Sequence, residues 1–200
     1  GPSLKELVMT SSKLVGKSFL PPVWSIGYHQ SRYSYFSQKE VETVAREFKS
    51  RGIPLSAIHL DIHYLEKFKP FTIDKNRFPE LKALSERLDN QGIKLVAIVD
   101  PGLKADKNYS PYLEAKEKGY LCEDEKGGEY HKRLWPGVCA LPDFFREEVR
   151  EFWAEAHKRL FEQGISGVWN DMNEPSLWRY DLRIGKVVIP ICKEKAPKIK

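Results

Sequence analysis

Gly164-Ile165-Ser166-Gly167-Val168-Trp169-Asn170-Asp171-Met172-Asn173-Glu174-Pro175 decides the fold, because an apolar run ends there on a carboxylate, where a buried strand gives way to a loop. Parallel strands covered on both faces read as short apolar runs, and the residues at their carboxyl ends point into the mouth of a barrel. Asp171 stands at such an end. One reading makes it a turn cap, a common role for Asp at the start of a loop. The other makes it a nucleophile, and Trp169 and Met172 favour that one. A flat aromatic and a soft apolar side chain beside a carboxylate form a wall for a sugar ring.

Outward from this stretch, strands and helices alternate. The first strand is expected at Val23–Tyr28, after Pro21-Pro22. A helix follows from Ser37 to Arg51, with Ser37 as N-cap, Glu40 three residues on, and Val41, Val44, Ala45 and Phe48 on one face. The second strand, Ala57–Leu60, runs into Asp61. A helix from about Pro79 carries Leu81, Leu84 and Leu88 and stops at Gly92. The third strand, Lys94–Val99, ends on Asp100. A Gly-, Pro- and aromatic-rich loop is expected from Pro101 to Pro142, then a helix from Asp143 to Gln163, and the fourth strand delivers Asp171.

This alternation implies an α/β fold with a parallel sheet and right-handed crossovers, either open or closed. No glycine-rich phosphate loop follows the first strand, so nothing supports a nucleotide-binding open sheet. Acids end three of the four strands, which would gather them at one mouth. The expectation is a parallel (β/α) barrel, of which about four βα units are present where eight close a TIM-type barrel. Residues 1–200 thus read as a partial barrel domain: 1–20 form a lead-in, and 179–200 form a loop or insertion with a short strand at Val187–Ile189.

Composition excludes several classes. The formal charge is +5, but the cations are interleaved with Glu, as in Glu147-Glu148-Val149-Arg150-Glu151. That is a solvated helix face rather than a nucleic-acid groove. No apolar run is long enough to cross a bilayer, and no signal-peptide pattern is seen, so a soluble chain is expected. Cys122, Cys139 and Cys192 are odd in number with no close pair, which fits a reducing, cytoplasmic setting better than a disulfide framework or a zinc site. His59 and His63 flank Asp61. Their even spacing puts both on the face opposite its neighbours, or one beyond the strand end, and no further ligands accompany them, so no metal and no cofactor is expected.

Several stretches together carry a resemblance. Gly167-Val168-Trp169-Asn170-Asp171-Met172-Asn173-Glu174-Pro175 resembles the nucleophile motif of the glycoside hydrolase family 31 α-glucosidases. Gly27-Tyr28-His29-Gln30-Ser31-Arg32-Tyr33-Ser34-Tyr35 is similar to that family's first strand and following loop, and Leu60-Asp61-Ile62-His63-Tyr64 to its second-strand motif. Ile98-Val99-Asp100-Pro101-Gly102 resembles the third, and Trp135-Pro136-Gly137 with Pro142-Asp143-Phe144 the long loop. The likeness runs in order to about Trp178, lead-in included. The Met172-Asn173-Glu174 run points to the glucosidase branch rather than the α-xylosidases.

The resemblance implies that Asp171 attacks the anomeric carbon of a terminal α-linked glucose and forms a covalent glycosyl-enzyme. A second carboxyl about 5 Å away would protonate the leaving oxygen. It implies that Asp61 holds sugar hydroxyls, work suited to a carboxylate that accepts two charge-assisted hydrogen bonds. Tyr33, Ile62, Ile98, Trp135, Trp169 and Met172 match positions lining the pocket. Asp100, followed by Pro101-Gly102, is either a turn residue or a ligand contact. Glu174 shares Asp171's segment and reads as a supporting carboxylate rather than the acid. Complete family members carry further β domains and a second half-barrel with the acid/base Asp, so the expected partners are an α-glucoside oligosaccharide and that remaining half. The other reading is a carbohydrate-binding or structural half-barrel without catalysis.

Overall fold

Ser3 is extended and its hydroxyl accepts from the Glu6 amide, which starts helix α1 (Leu4–Val15). The computed structural model describes residues 3–173. No residue of α1 is buried, and Leu4, Leu7, Val8 and Leu14 face outward with Phe19 and Leu20 beyond them. The lead-in thus holds a helix the sequence reading did not assign. The expected first strand also changes. Val23–Ile26 is a 3-10 turn, and the strand β1 is His29–Gln30. The reason is local: Pro22 is held extended before the turn, and its carbonyl accepts from both the amide and the hydroxyl of Ser25. That curls the chain at the point where an apolar run alone suggests extension. Val23 and Ile26 are exposed accordingly.

The next units follow the pattern of the sequence closely. Helix α2 (Gln38–Ser50) is capped by Ser37, whose side chain accepts from the Glu40 amide. Strand β2 (Ala57–Leu60) and strand β3 (Lys94–Val99) lie where the apolar runs put them, with helix α3 (Leu81–Asp89) between. The region expected as one loop is instead structured. It contains β4 (Leu103–Lys104), α4 (Ser110–Glu117), β5 (His131–Leu134) and β6 (Gly137–Ala140). These strands form an antiparallel sheet in the order β4-β6-β5. Helix α5 (Glu147–Phe161) starts four residues later than expected, because Asp143 first closes a turn, its carbonyl accepting from the Arg146 amide.

Strand β7 (Gly167–Asn170) completes a four-stranded parallel sheet in the order β1-β2-β3-β7. It begins after Gly164, not at it. Gly164 has φ +82, and a side chain there would collide with Ser85, whose hydroxyl donates to the Gly164 carbonyl at 2.6 Å. Residues alternate across the sheet. Ile58, Leu60, Leu95, Ala97 and Val99 join Val41 and Ala45 of α2, Leu81, Leu84 and Leu88 of α3, and Ala156 and Leu160 of α5 in one core. Burying each such leucine stabilises the fold by about 1.5–3 kcal/mol. The other parity, His59, Val96 and Trp169, belongs to the concave side. With helices packed on one face of sequentially ordered parallel strands, the sheet is the first half of a TIM-type barrel. Cys122 and Cys139 are buried. Cys192, Glu174 and the strand expected at Val187–Ile189 lie outside the described residues.

Candidate active site

Asp61, Asp100 and Asp171 each follow the last residue of a parallel strand, β2, β3 and β7. In-register pairing of β2 with β3 and of β3 with β7 brings the three ends to one rim. Asp61 is buried and caps a 3-10 turn over Ile62–Tyr64, where its Oδ1 accepts from the Ile62 amide at 2.7 Å. Burial raises its pKa above the usual carboxylate range. The Ile62 amide and His63 counteract this, and the negative charge of Asp171 adds to it. Asp171 is half-buried, and Met172 after it has φ 56, a left-handed backbone that is uncommon outside glycine and often marks functional segments.

Beside this rim stands an aromatic wall. Tyr33, 62% exposed, meets the His63 ring edge-on at 5.6 Å and lies 6.3 Å from Trp135. Phe68 touches both His63, at 5.2 Å, and Trp135, at 6.3 Å. Phe36 closes the other side of His63 at 4.5 Å. Phe68 is aimed by a left-handed kink, Lys67 and Phe68 having φ 50 and 62. His63 is buried and its Nδ1 has no hydrogen-bond partner among the described residues, a cost most native folds avoid. Burial, with the nearby Arg77 charge, lowers its pKa below the usual imidazole value, while Asp61 opposes that.

Not every expected site residue reaches the cleft in the same way. Ile62 and Ile98 are both 2% exposed and sit in the core beneath the rim. Ile98 pairs in register with Trp169, and its carbonyl accepts from the Tyr64 hydroxyl at 2.8 Å. Asp100 is buried, and its charge helps burial push the Tyr64 hydroxyl's pKa upward. Trp135 and Trp169 are half-buried. Phe68, Phe36 and Tyr64 were not foreseen. A positive φ leaves no trace in composition, and Tyr64 resembles any core aromatic until its hydroxyl partner is known. Among the described residues no cluster of three or more metal-ligating side chains occurs, and His63 lies past the strand end in the 3-10 turn. A groove of about 870 Å³ borders β7, lined by Val99, Phe144, Trp153, His157, Val168 and Asn173 among others.

Acids at the ends of consecutive parallel strands, with aromatic rings beside them, define a barrel protein with an acid- and ring-lined mouth. The profile described as the glycosyl hydrolases family 31 TIM-barrel domain matches residues 18–188, and the chain belongs to that family. It is 46% identical over 178 residues to alpha-glucosidase 2 of Bacillus thermoamyloliquefaciens, covering 89% of this chain and 23% of that protein. It is 42% identical over 176 residues to an alpha-glucosidase of Saccharolobus solfataricus, covering 88% and 25%. The DNJ-bound glucosidase II alpha subunit superposes with a TM-score of 0.82 at 34% identity, over 88% of this chain and 19% of that one. The chain thus spans about a quarter of the length of these curated relatives.

Proposed function

We propose that this chain carries the nucleophile half of a retaining α-glucosidase that releases terminal α-linked glucose from oligosaccharides. Asp171 attacks the anomeric carbon, the glycosidic bond to the leaving oxygen breaks, and water then hydrolyses the glycosyl ester with retention. Asp61 holds hydroxyls of the same sugar, and Trp169, Trp135, Tyr33 and Met172 wall it in. The observation that carries the reading is the placing of the strand-end carboxylates Asp61 and Asp171 on one rim by the register of β2, β3 and β7. The α-glucosidases it resembles support the substrate class.

The leaving oxygen needs a proton from a second carboxyl, and in this reading that group belongs to the other half of the barrel. The groove beside β7 and the open edge of β1 are where that half would pack. Without it the general-acid contribution, roughly a hundred- to ten-thousandfold, is lost. The 200 residues alone are expected to leave maltose uncleaved and to self-associate through the outer edges of β1 and β7, which pair with no further strand among the described residues. Efficient maltose cleavage by a monodisperse monomer would end this reading. Joined to the complementary half, the chain is expected to cleave p-nitrophenyl α-glucoside. In that enzyme Asp171→Ala should abolish turnover while sugar binding persists, with partial rescue by azide or formate. Near-normal turnover without a rescue agent would remove the nucleophile assignment.

A further inference from the structure

Four rings run across the concave side beneath the rim. Trp24 stacks on His29 at 5.8 Å with an interplanar angle of 16°, and His29 lies 5.2 Å from His59. His59 in turn meets Trp169 edge-on at 6.0 Å. The chain of rings starts before β1, crosses β1 and β2, and reaches over β3 to β7. The two histidines are joined directly, with His29 Nδ1 and His59 Nε2 3.0 Å apart. His29 Nε2 lies 3.2 Å from the Trp24 carbonyl, which can only accept. That fixes the protons. His29 carries its hydrogen on Nε2, its Nδ1 is the acceptor, and His59 donates from Nε2.

The pair adds a side-chain link to a short backbone pairing. Strand β1 is two residues long and pairs with β2 through His29↔Ala57 and Gln30↔Ile58. At the far end Trp24 leans on β7 itself, because a Cβ on Gly167 would stand 3.2 Å from its ring. His59 is followed two residues on by Asp61, and Trp169 two residues on by Asp171. We propose that His29 and His59 act as a hydrogen-bonded positioning pair that fixes Trp169, and with it the strand end bearing Asp171, relative to Asp61. The role for Asp171 rests on the glucosidase reading above; the pair itself does not.

The groups facing His59 are His29 from β1, Val96 in register on β3, Trp169 from β7 and, on its own strand, Asp61 past the end. Burial, and then the charge of His29, lower the His59 pKa. The pair accommodates one extra proton on either ring. A second would set two N–H groups against each other and open the 3.0 Å contact.

Two measurements test the proposal. In the 15N-histidine-labelled chain, the ring nitrogens are expected to report protonated Nε2 on both His29 and His59, with His29 Nδ1 as acceptor. His29→Gln should shift the His59 titration midpoint upward. A protonated His29 Nδ1 at neutral pH, or an unmoved midpoint, would overturn the pair. In the enzyme completed by its other half, His59→Ala should lower kcat about tenfold to a hundredfold with a smaller change in KM. His59→Gln, which keeps an N–H donor, should recover most of it. Unchanged kcat in His59→Ala, or no recovery in His59→Gln, would overturn the positioning role. If Asp171→Ala retained turnover, the glucosidase reading would fall, and the ring-nitrogen measurement would still decide the pair.

Discussion

The two faces of the parallel sheet are built to opposite specifications. On the convex side, Leu60, Leu95 and Ala97 meet Leu81, Leu84 and Leu88 of α3 in a core that satisfies itself. On the concave side and its rim, Asp61 is buried against its own charge, His63 has a nitrogen without a partner among the described residues, and Met172 and Phe68 hold left-handed backbone. The convex face spends nothing on chemistry, and the rim gives up stability. That division is the usual mark of a site whose groups are held ready for a ligand.

Substitutions should separate the faces, and the largest stability effect belongs to the convex one. Leu84 is fully buried between α3 and the sheet, so Leu84→Ala should destabilise the chain by about 2–5 kcal/mol, measured by urea unfolding. In a completed enzyme held folded at low temperature, its KM should stay as in the parent. A changed KM with intact folding would break the division between faces.

Asp61→Asn should do the reverse. Because the folded-state pKa of Asp61 is raised, the unfolded chain releases its proton first as pH climbs through the ordinary carboxylate value, and stability falls across that window. The neutral amide escapes this loss and still accepts from the Ile62 amide. The variant is therefore expected to unfold at a higher urea midpoint than the parent at pH 7. In the completed enzyme it should lose sugar affinity and rate, each lost charged contact weakening binding by about 1.5–3 kcal/mol. Unchanged kinetics would place Asp61 outside the pocket, and a lower urea midpoint would remove the argument that the rim is strained.

How much of this was legible in the sequence depends on which physics wrote it. β2 and β3 were readable to the residue, because each is a short apolar run closed by Asp61 or Asp100. β1 was misplaced, since the apolar period of Val23–Tyr28 says nothing of the two hydrogen bonds from Ser25 to the Pro22 carbonyl that coil the segment. The antiparallel β4-β6-β5 sheet was invisible for another reason. Its members are short, and β4 meets β6 only across the intervening α4 and β5, as in Leu103↔Ala140. The strand-end acids were visible as residues, while the ring contacts around His63 and the His29–His59 link depend on pairings 27 positions or more apart or on φ signs, which a local pattern does not carry.

The pH dependence of stability sharpens the comparison further. The folded-state pKa values of His59 and His63 are both lowered, chiefly by burial. The unfolded chain therefore takes up protons first as pH falls below about 6.5, and stability drops through that window toward the folded-state values. Both groups lie on the concave side and rim. His59→Gln and His63→Gln should each flatten the urea midpoint between pH 7 and pH 5 compared with the parent. A parent curve that is already flat there would mean that neither ring is as shielded as its neighbours imply.

The smallest expected effect sits where the two regions touch. Ser37 starts α2 by accepting from the Glu40 amide at 3.3 Å, and Glu40 reaches back to the Phe36 amide at 3.0 Å. The cap thereby holds Phe36, whose ring covers His63 and lies under the Arg77 guanidinium. Ser37→Ala removes one side of this exchange and should lower stability by about 1 kcal/mol. If the helix layer and the rim are separable, that loss appears in the urea midpoint alone, and the completed enzyme keeps its KM. If KM rises along with it, the helix start is itself part of the aromatic wall, and the boundary between the two faces lies at Phe36 rather than at the sheet.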